Sequence, residues 1–151
     1  MITYHVESFE ERLCELKRLL PLHYEELALN KDKVPLSPQY DVYIQRERNG
    51  ELLFVTARDA GELVGYFIGF IAPGLHYSTC LTCIMDIFYI APGHRGSNAG
   101  WELFQFVRKE NKRRGVQRWF MGAKVHFDCS FLFEKLGAEL VEKTYSLMLE
   151  D

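Results

Sequence analysis

The sequence lacks a long hydrophobic run and an excess of positive charge, and each absence excludes a class of protein. Its most apolar segment, residues 63–75, contains three glycines and a proline and is shorter than the roughly 20 residues that a membrane helix needs. The formal net charge is −3, so no global positive field is available to hold nucleic acid or an acidic membrane. We therefore expect no membrane and no nucleic-acid partner, and instead a small-molecule or protein partner.

Cysteines are also scarce, with four in 151 residues, which is too few for a disulfide scaffold. Residues 1–6 have no apolar core behind a basic start, so they do not predict a signal peptide, and we expect a cytoplasmic protein. One alternative stays open, because Cys80-Leu-Thr-Cys83 and His126-Phe-Asp-Cys129 could form the two halves of a zinc site. Against it, residues three apart in an extended strand point to opposite faces, so the sulfurs of Cys80 and Cys83 would diverge. We expect no metal.

Hydrophobic and aromatic residues, which form protein cores, are abundant in the sequence. Hydrophobic residues make up 48% and aromatic residues 14% of the chain, which is enough for one continuous core. Because no internal repeat or linker interrupts the sequence, we expect residues 1–151 to form a single domain.

The order of apolar patterns predicts a mixed α/β sheet with helices on its faces. Ser8 and Glu11 form a capping-box pattern before a helix that is expected to end near Pro21. Residues 22–29 continue in a helical pattern, and residues 30–39, with two prolines, predict a loop. The predicted strands are residues 3–6, 52–57, 62–72, 81–90, 118–125 and, as a pair or a bent strand, 139–149. The other predicted helices are residues 40–48, a helix that starts at residue 98 or 99 and ends at residue 114, and residues 128–136.

A cluster of basic side chains marks the end of the helix predicted for residues 99–114, just before Gly115, a common helix stop. Such a cluster could bind nucleic acid, but cations in a last turn also suit the helix dipole. We interpret it as a solvated helix end. The cluster consists of Arg108, Lys109, Lys112, Arg113 and Arg114.

The most informative segment runs from Asp86 to Gly100, where an apolar strand leads through a glycine-rich loop directly into a helix. Backbone amides of such a loop and the positive end of the helix converge on a phosphate, and glycines let the chain approach it closely. Ordinary turn chemistry produces the same pattern, so both interpretations stay open on these residues alone.

A family resemblance favours the phosphate-binding interpretation. Residues 88–100, Phe-Tyr-Ile-Ala-Pro-Gly-His-Arg-Gly-Ser-Asn-Ala-Gly, resemble the coenzyme A pyrophosphate motif of GNAT acetyltransferases, Arg/Gln-x-x-Gly-x-Gly/Ala. Arg95 and Gly100 match the motif, and Gly96 adds slack nearby. Asn98 replaces the central glycine of the motif. Asn adopts a left-handed backbone conformation more readily than most residues, so this replacement is compatible with the motif.

A second segment supports the same resemblance. Residues 126–137 resemble the family pattern Asn-x-x-Ala-x-x-Leu-Tyr-Glu-Lys-Leu-Gly with its spacing kept. In this segment His126 stands for Asn, Cys129 for Ala and Phe133 for Tyr. The resemblance covers residues 51–149 and is strongest to GNAT proteins encoded by bacteriophages and prophages, which would place the protein in the host cytoplasm. The first third of the chain matches only in its helical character, so the acceptor is left open.

The resemblance implies a twisted, splayed sheet that binds acetyl-coenzyme A beside the strand of residues 81–90. It also implies direct transfer of the acetyl group to an amine in a ternary complex. Amides of this strand would hydrogen-bond the pantetheine arm, and that of Ile90 or its neighbour would polarise the thioester carbonyl. The cofactor-binding residues implied are Phe88, Tyr89, Ile90, His94, Arg95, Gly96, Ser97, Asn98, Ala99, Gly100, His126, Cys129 and Phe133.

Asp86 is the candidate general base. An alkylamine with a pKa near 10.4 must lose a proton before it attacks, so such a transferase needs a base. Asp86 is an acid within an apolar strand, at a position where many members of the family carry Asp or Glu. The alternative is that Asp86 is only the structural partner of a basic side chain.

The leaving thiolate lacks its usual acid, because Phe133 occupies the position of the family's tyrosine. The residues that could serve as this acid instead are His126, Tyr89, Cys129 and Tyr145. We take Asp86 and Tyr145 as the two catalytic candidates. Unassisted departure is also open, since a thiol has a pKa near 8.5. We expect no covalent acyl-enzyme on Cys129.

The acceptor is the least constrained part of the prediction. The loop of residues 76–79 and the side chains of Tyr40, Tyr43 and Tyr66 could line its cleft, although core packing explains them equally well. The expected partner is therefore an amine on a small molecule or a protein, and a homodimer is left open.

A rival interpretation is a GNAT-fold interaction module, such as a phage accessory protein, that binds coenzyme A or nothing. Phe133 and Asn98 are the departures that favour it. Retained coenzyme A binding without turnover would distinguish it from the enzyme.

Overall fold

The computed structural model describes residues 1–149 and contains one five-stranded mixed sheet with helices on both faces. The strands follow the order β1-β2-β3-β4-β5; the first four are antiparallel, and β5 runs parallel to β4. This confirms the predicted mixed α/β fold. The elements are β1 (Ile2–Val6), α1 (Phe9–Leu27), α2 (Tyr40–Arg48), β2 (Leu52–Asp59), β3 (Glu62–Pro73), β4 (Leu81–Ile90), a 3-10 turn (Pro92–His94), α3 (Ala99–Arg113), β5 (Arg118–Phe120) and α4 (Ser130–Leu136).

Two hydrophobic cores lie on opposite faces of the sheet, because successive residues of a strand point to opposite sides. In β2, Leu53 and Val55 pack into the core beneath α3, whereas Leu52 and Phe54 pack into the core beneath α1. Aromatic side chains fill both cores. The α3 core includes Phe67, Leu103, Phe104, Val107 and Phe133, and the α1 core includes Phe9, Leu16, Leu20, Tyr66, Ile68 and Tyr89.

Helix α1 runs through Pro21 to Leu27 as one helix, whereas the sequence predicted an end near Pro21 followed by a further helical stretch at residues 22–29. It begins as predicted, with the Ser8 hydroxyl accepting a hydrogen bond from the Glu11 amide at 3.2 Å. A proline inside a helix removes one hydrogen bond and costs about 3 kcal/mol. Leu20 and His23, on either side of the proline, are both buried against the sheet, and this packing holds the helix together across it.

The strands β4 and β5 separate after a short parallel ladder. Their register joins Thr82 to Arg118 and ends with Ile84 opposite Phe120. Strand β4 then continues alone on this side as far as Ile90, whereas the prediction extended the fifth strand to residue 125. The splayed gap expected beside β4 is therefore present from Met85 onward.

A β-bulge lies at the start of this gap. On β3 and β4, Ile68 pairs with Ile87 and the next residue, Gly69, pairs with Met85. Asp86 therefore has no residue opposite it on β3. Bulges redirect side chains and are frequent beside active sites.

The predicted strand or strand pair at residues 139–149 was wrong. Residues 138–149 have no regular secondary structure, and Leu140, Tyr145 and Leu149 are more than four-fifths exposed. Alternating apolar residues do suit a strand, but pairing requires a neighbour, and β5 is only three residues long. None of the helices within residues 1–149 is long and apolar enough to cross a membrane.

Candidate functional site

Asp86 is held at the bulge by Tyr43 of α2. The Tyr43 hydroxyl donates a hydrogen bond to Asp86 Oδ2 at 2.5 Å. Burial raises the pKa of the Asp86 carboxyl above its usual range, and the Tyr43 hydrogen bond opposes this shift. Asp86 Oδ1 makes no hydrogen bond within residues 1–149, which leaves one carboxylate oxygen free to accept a proton.

Helix α2 is fixed against the sheet by contacts on both sides of Tyr43. The Tyr43 ring stacks on Phe9 with centroids 5.1 Å apart and lies 5.6 Å from the ring of Phe70. One turn later, the Glu47 carboxylate accepts hydrogen bonds from the Phe9 amide at 2.6 Å and from the Ser8 hydroxyl at 3.0 Å. Glu47 thus joins α2 to the start of α1, and the Tyr43 hydroxyl is presented to Asp86 from a rigid element.

A buried polar cluster lies beside Asp86 on the same face. His23 Nδ1 and the Tyr66 hydroxyl are 2.8 Å apart, and the His23 and Tyr89 rings lie 5.0 Å apart. Burial lowers the pKa of His23 to about 4, so this imidazole is neutral near pH 7. Burial also raises the pKa of Tyr66, with the Asp86 carboxylate among the further causes.

His23 was missed in the sequence, although a signal was present. It follows Leu16 by seven residues and Leu20 by three, and so continues the apolar stripe of α1. A histidine on such a stripe is buried with the stripe. Its partner Tyr66 lies on β3, and no local pattern connects the two residues.

Arg95 joins three segments at the end of β4. Its Nε donates to the Ile90 carbonyl at 2.7 Å, and its guanidinium pairs with Glu26 of α1 at 2.6 Å. The guanidinium also lies 5.5 Å from the ring centroids of both Tyr89 and Phe127. The side chain is therefore engaged by the protein, and any contribution to anion binding comes from the backbone that follows it.

The loop after Arg95 presents a set of free amides. Gly96 has a φ of +84°, a left-handed conformation that favours glycine, and its Cβ position is open space. The Ala99 amide is bonded to the Ser97 hydroxyl at 3.3 Å. The free amides of this segment and of the first turn of α3 form a group of donors that suits an anion. Amides without an acceptor within residues 1–149 are those of Gly96, Ser97, Asn98, Gly100 and Trp101.

The open edge of β4 continues this donor group. The Ala91 amide donates to the Val64 carbonyl of β3 at 2.8 Å. Because alternate residues of a strand direct their amides to opposite sides, Phe88 and Ile90 direct theirs into the gap. The contact between Arg95 and the Ile90 carbonyl confirms this direction. The side chain of Phe88 has a structural role that differs from that of its amide. Its ring packs edge-on against Phe104 in the α3 core, with ring centroids 4.8 Å apart.

His94 anchors the loop on the opposite side from Arg95. Its Nε2 lies 3.0 Å from Asp59 Oδ2 at the end of β2, and its carbonyl accepts from the Ser97 hydroxyl at 3.0 Å. His94 Nδ1 is buried without a hydrogen-bond partner within residues 1–149. His94 thus fixes the loop between β4 and α3 from one side while Arg95 fixes it from the other.

The candidates of the second segment lie on and before α4. Phe133 is buried and packs against Phe104 at 5.6 Å. Cys129 is half-buried, and burial raises the pKa of its thiol to about 11, so it carries a proton at neutral pH. His126 is exposed. Tyr145 is 87% exposed and makes no hydrogen bond within residues 1–149, so its catalytic role stays a prediction.

The four cysteines are free thiols. Within the described part of the chain, no group of three or more His, Cys, Asp or Glu side chains is arranged to hold a metal ion. Cys83 is fully buried in the α3 core, whereas Cys80 is half-buried just before β4. The zinc interpretation therefore finds no ligand set in residues 1–149.

Several solved structures similar to this chain are named as acetyltransferases. A ribosomal-protein-alanine N-acetyltransferase from Brucella melitensis biovar Abortus 2308 has a TM-score of 0.78 at 18% identity, covering 100% of this chain and 99% of its own. An aminoglycoside acetyltransferase from an uncultured soil metagenomic sample has a TM-score of 0.77 at 16% identity, covering 99% of each chain. A predicted acetyltransferase with acetyl-CoA from Clostridium acetobutylicum has a TM-score of 0.70 at 16% identity, covering 98% of this chain and 96% of its own. At these identities the likeness shows a shared fold.

Comparison by sequence identifies the family of the chain more directly than comparison by fold. No curated protein matches it. The family model described as the acetyltransferase (GNAT) family matches residues 18–138, which include β4, the loop with its free amides, α3 and α4. The match spans most of the chain and agrees with the splayed sheet and its open β4 edge, and the chain therefore belongs to the GNAT acetyltransferase family.

Proposed function

We propose that the protein is an N-acetyltransferase that moves an acetyl group from acetyl-coenzyme A directly to a primary amine of a small molecule or a protein. The observation that carries the proposal is the position of Asp86, a half-buried carboxylate at the bulge where the open edge of β4 begins. A candidate base therefore lies beside a strand edge and a loop that offer free amides. Similar folds occur in acetyltransferases named for aminoglycosides and for ribosomal-protein alanine, which are amine acceptors.

The residues present fit acetyl-coenzyme A, which would supply the activated acetyl group. Amides of Gly96, Ser97 and Asn98 and of the first turn of α3 would hold its pyrophosphate. Amides of Phe88 and Ile90 on the open edge of β4 would hold its pantetheine arm. Asn98 has a φ of −81°, so the position where the family carries glycine requires no left-handed backbone in this chain.

Asp86 would act as the general base. The acceptor amine must lose a proton to attack the thioester carbon, and Asp86 Oδ1 would accept that proton directly or through a water. The raised pKa of Asp86 makes it a stronger base than an exposed aspartate, while the hydrogen bond from Tyr43 favours the ionised form and opposes the rise. The Ile90 amide or its neighbour would donate a hydrogen bond to the carbonyl oxygen as negative charge develops there.

The departing thiolate needs no strong acid in this proposal. A thiol with a pKa near 8.5 is a tolerable leaving group without protonation. Burial raises the pKa values of both Tyr89 and Cys129, which makes these side chains weaker acids than usual. Tyr145 remains the named candidate, from the segment after α4.

An initial-velocity experiment tests the proposal. Free thiol released from acetyl-coenzyme A is followed while the concentrations of acetyl-coenzyme A and a pool of primary amines are varied independently. Direct transfer predicts amine-dependent release with intersecting reciprocal plots. Parallel plots together with a trapped acetyl-cysteine would contradict direct transfer, and coenzyme A binding without any release would favour the non-catalytic interaction module.

A further inference from the structure

An apolar row crosses three adjacent strands on the same face as Asp86. Phe70 of β3 pairs with Ile84 of β4, and Ile84 pairs with Phe120 of β5. Residues directly opposite each other in a sheet point to the same face. Phe70 contacts Tyr43, whose hydroxyl binds Asp86, so the row lies on the Asp86 face. We call Phe70, Ile84 and Phe120 the apolar row.

The apolar row is partly exposed to solvent, and it lies close to the candidate base Asp86. Ile84 is 55% exposed, and neither Phe70 nor Phe120 is buried. The pair of Ile84 and Phe120 is also the last rung of the ladder before β4 and β5 separate. The row therefore ends at the vertex of the gap, and Asp86 follows Ile84 by two residues on the same strand, a distance of about 7 Å.

Two guanidinium groups border the apolar row, one at each end. The Arg46 guanidinium lies 4.7 Å from the ring centroid of Phe70. The Arg118 guanidinium lies 4.9 Å from the ring centroid of Phe120 and 5.1 Å from that of Tyr77. Most other arginines near the sheet pair with a carboxylate, as Arg58 does with Glu7 and Glu15. Arg46 and Arg118 pair with no carboxylate within residues 1–149.

We propose that the apolar row binds the body of the acceptor, and that the acceptor is an amine on an apolar stem that ends in a carboxylate. This inference rests on the proposed acetyltransferase function and names its substrate class. The stem covers Ile84 and its neighbours, the amine reaches Asp86, and the carboxylate pairs with Arg118 or Arg46. A polycationic amine is disfavoured, because its further charges meet two unpaired guanidinium groups.

The span of the site sets the length of the stem. Asp86 lies about 7 Å along β4 from Ile84, and each flanking strand lies about 5 Å to the side. An amine and a carboxylate separated by one aromatic ring match this span. A compound that carries both groups on a single carbon is too short to reach Asp86 and a guanidinium together.

Three probes of one shape test the proposal: para-(aminomethyl)benzoate, para-methylbenzylamine and para-xylylenediamine. They carry a carboxylate, a methyl group or a second ammonium at the same position. Calorimetric titration into the protein saturated with coenzyme A compares their affinities without turnover. We expect the carboxylate probe to bind about tenfold more tightly than the methyl probe, through charge-assisted hydrogen bonds, and the diamine to bind most weakly.

The double variant Arg46→Gln/Arg118→Gln shows whether the two arginines cause this order. We expect the affinities of the three probes to converge to within about twofold. The matched control is Arg108→Gln, which removes an exposed arginine from α3 on the opposite face of the sheet and should leave the order unchanged. Circular dichroism checks that each variant is folded.

Equal affinities of the three probes for the unaltered protein, or tightest binding of the diamine, would overturn the inference. An order that persists in the double variant would overturn the role of the arginines. If coenzyme A itself fails to bind, the proposed function fails first. The probes are then titrated into the free protein, where the same order is still required of the apolar row.

Discussion

Asp86 unites the two properties that the proposed chemistry needs in one residue. It is half-buried, which raises its pKa, and it accepts a hydrogen bond from Tyr43, which favours the ionised form and opposes that rise. A carboxylate with burial alone would be protonated too readily, and one with full solvation would be a weak base. Tyr43 supplies the balance from α2, an element 43 residues away in the sequence.

Replacing Asp86 should separate catalysis from cofactor binding. We expect Asp86→Asn to lower kcat by at least about tenfold, because the amide cannot accept the amine proton. Coenzyme A affinity should be unchanged, since the proposed contacts to it are backbone amides. The free-thiol assay and calorimetry measure the two quantities, with Glu62→Gln at the exposed start of β3 as the matched control. A kcat equal to that of the unaltered protein would remove Asp86 from the mechanism.

Tyr43→Phe should move the pH profile of the enzyme. The Tyr43 hydroxyl lowers the pKa of Asp86, so its removal raises that pKa further. The acid limb of kcat/KM should therefore shift to higher pH, while the stacking on Phe9 is kept by the phenyl ring. Tyr24→Phe, which removes a hydroxyl bonded to the Val34 carbonyl at 2.6 Å, is the control. An acid limb that stays in place, with only kcat reduced, would show a purely structural role for Tyr43.

His23 should make stability depend on pH in mildly acidic solution. Its folded pKa of about 4 lies below its ordinary value of 6.5, so the unfolded chain binds a proton that the folded chain rejects. The free energy of unfolding is therefore highest above pH 6.5 and falls as pH falls from 6.5 toward 4, by about 2 kcal/mol at pH 5. Urea denaturation at pH 7 and pH 5 measures this difference. In His23→Gln the difference should largely disappear; a drop of the same size in that variant would assign it to other groups.

At the scale of elements, sequence patterns were reliable where one local signal determined the outcome. The boundaries of α2 and β4 were predicted correctly. Strand β4 is an apolar run with a turn on either side, and α2 ends at the turn-forming pair Asn49-Gly50. Sequence patterns were unreliable where contacts with a distant segment determined whether an element formed. The continuation of α1 past Pro21 depends on the sheet beneath it, and the absence of a strand at residues 139–149 depends on the short edge at β5.

Gly65 shows how closely β3 and β4 approach each other near the site. A Cβ on Gly65 would lie 2.6 Å from the Tyr89 carbonyl oxygen and 2.7 Å from Ile90 Cδ1. The carbonyl belongs to the backbone of β4 and cannot move away alone, so the strands would have to separate. We expect Gly65→Ala to lower the free energy of unfolding by about 1–3 kcal/mol in urea denaturation.

The control for this substitution is Gly122→Ala, because a Cβ on Gly122 meets nothing within 4 Å. This variant should unfold at nearly the same urea concentration as the unaltered protein. Equal stability of the two alanine variants would show that β3 and β4 tolerate a side chain at Gly65 and that the close approach is not a constraint.

For the whole molecule, the sequence allowed the fold class and the position of the loop to be predicted, but not the construction of the site. Residues 86–100 carry their own strand, loop and helix signals, so they were located without a structure. The bulge at Asp86, the pairing of Arg95 with Glu26 and the neutral His23 arise from contacts between distant segments. Burial and register decide such contacts, and neither can be read from a local pattern.

The separation of β4 from β5 is the property of the whole molecule on which the proposed function depends. It exposes the amides of Phe88 and Ile90 and places Asp86 and the apolar row at the vertex of one gap. A closed sheet would satisfy those amides within the protein and would leave no edge for a pantetheine arm. The proposed binding of acetyl-coenzyme A therefore depends on this separation of the two strands.

The most direct test is a calorimetric titration of the purified protein with acetyl-coenzyme A, followed by the free-thiol assay with pooled amines on the same sample. We predict saturable binding with one site per chain, and thiol release that requires an amine. Absence of binding to the intact protein would contradict the central claim, because the open edge of β4 and the free amides of the loop would then serve another purpose.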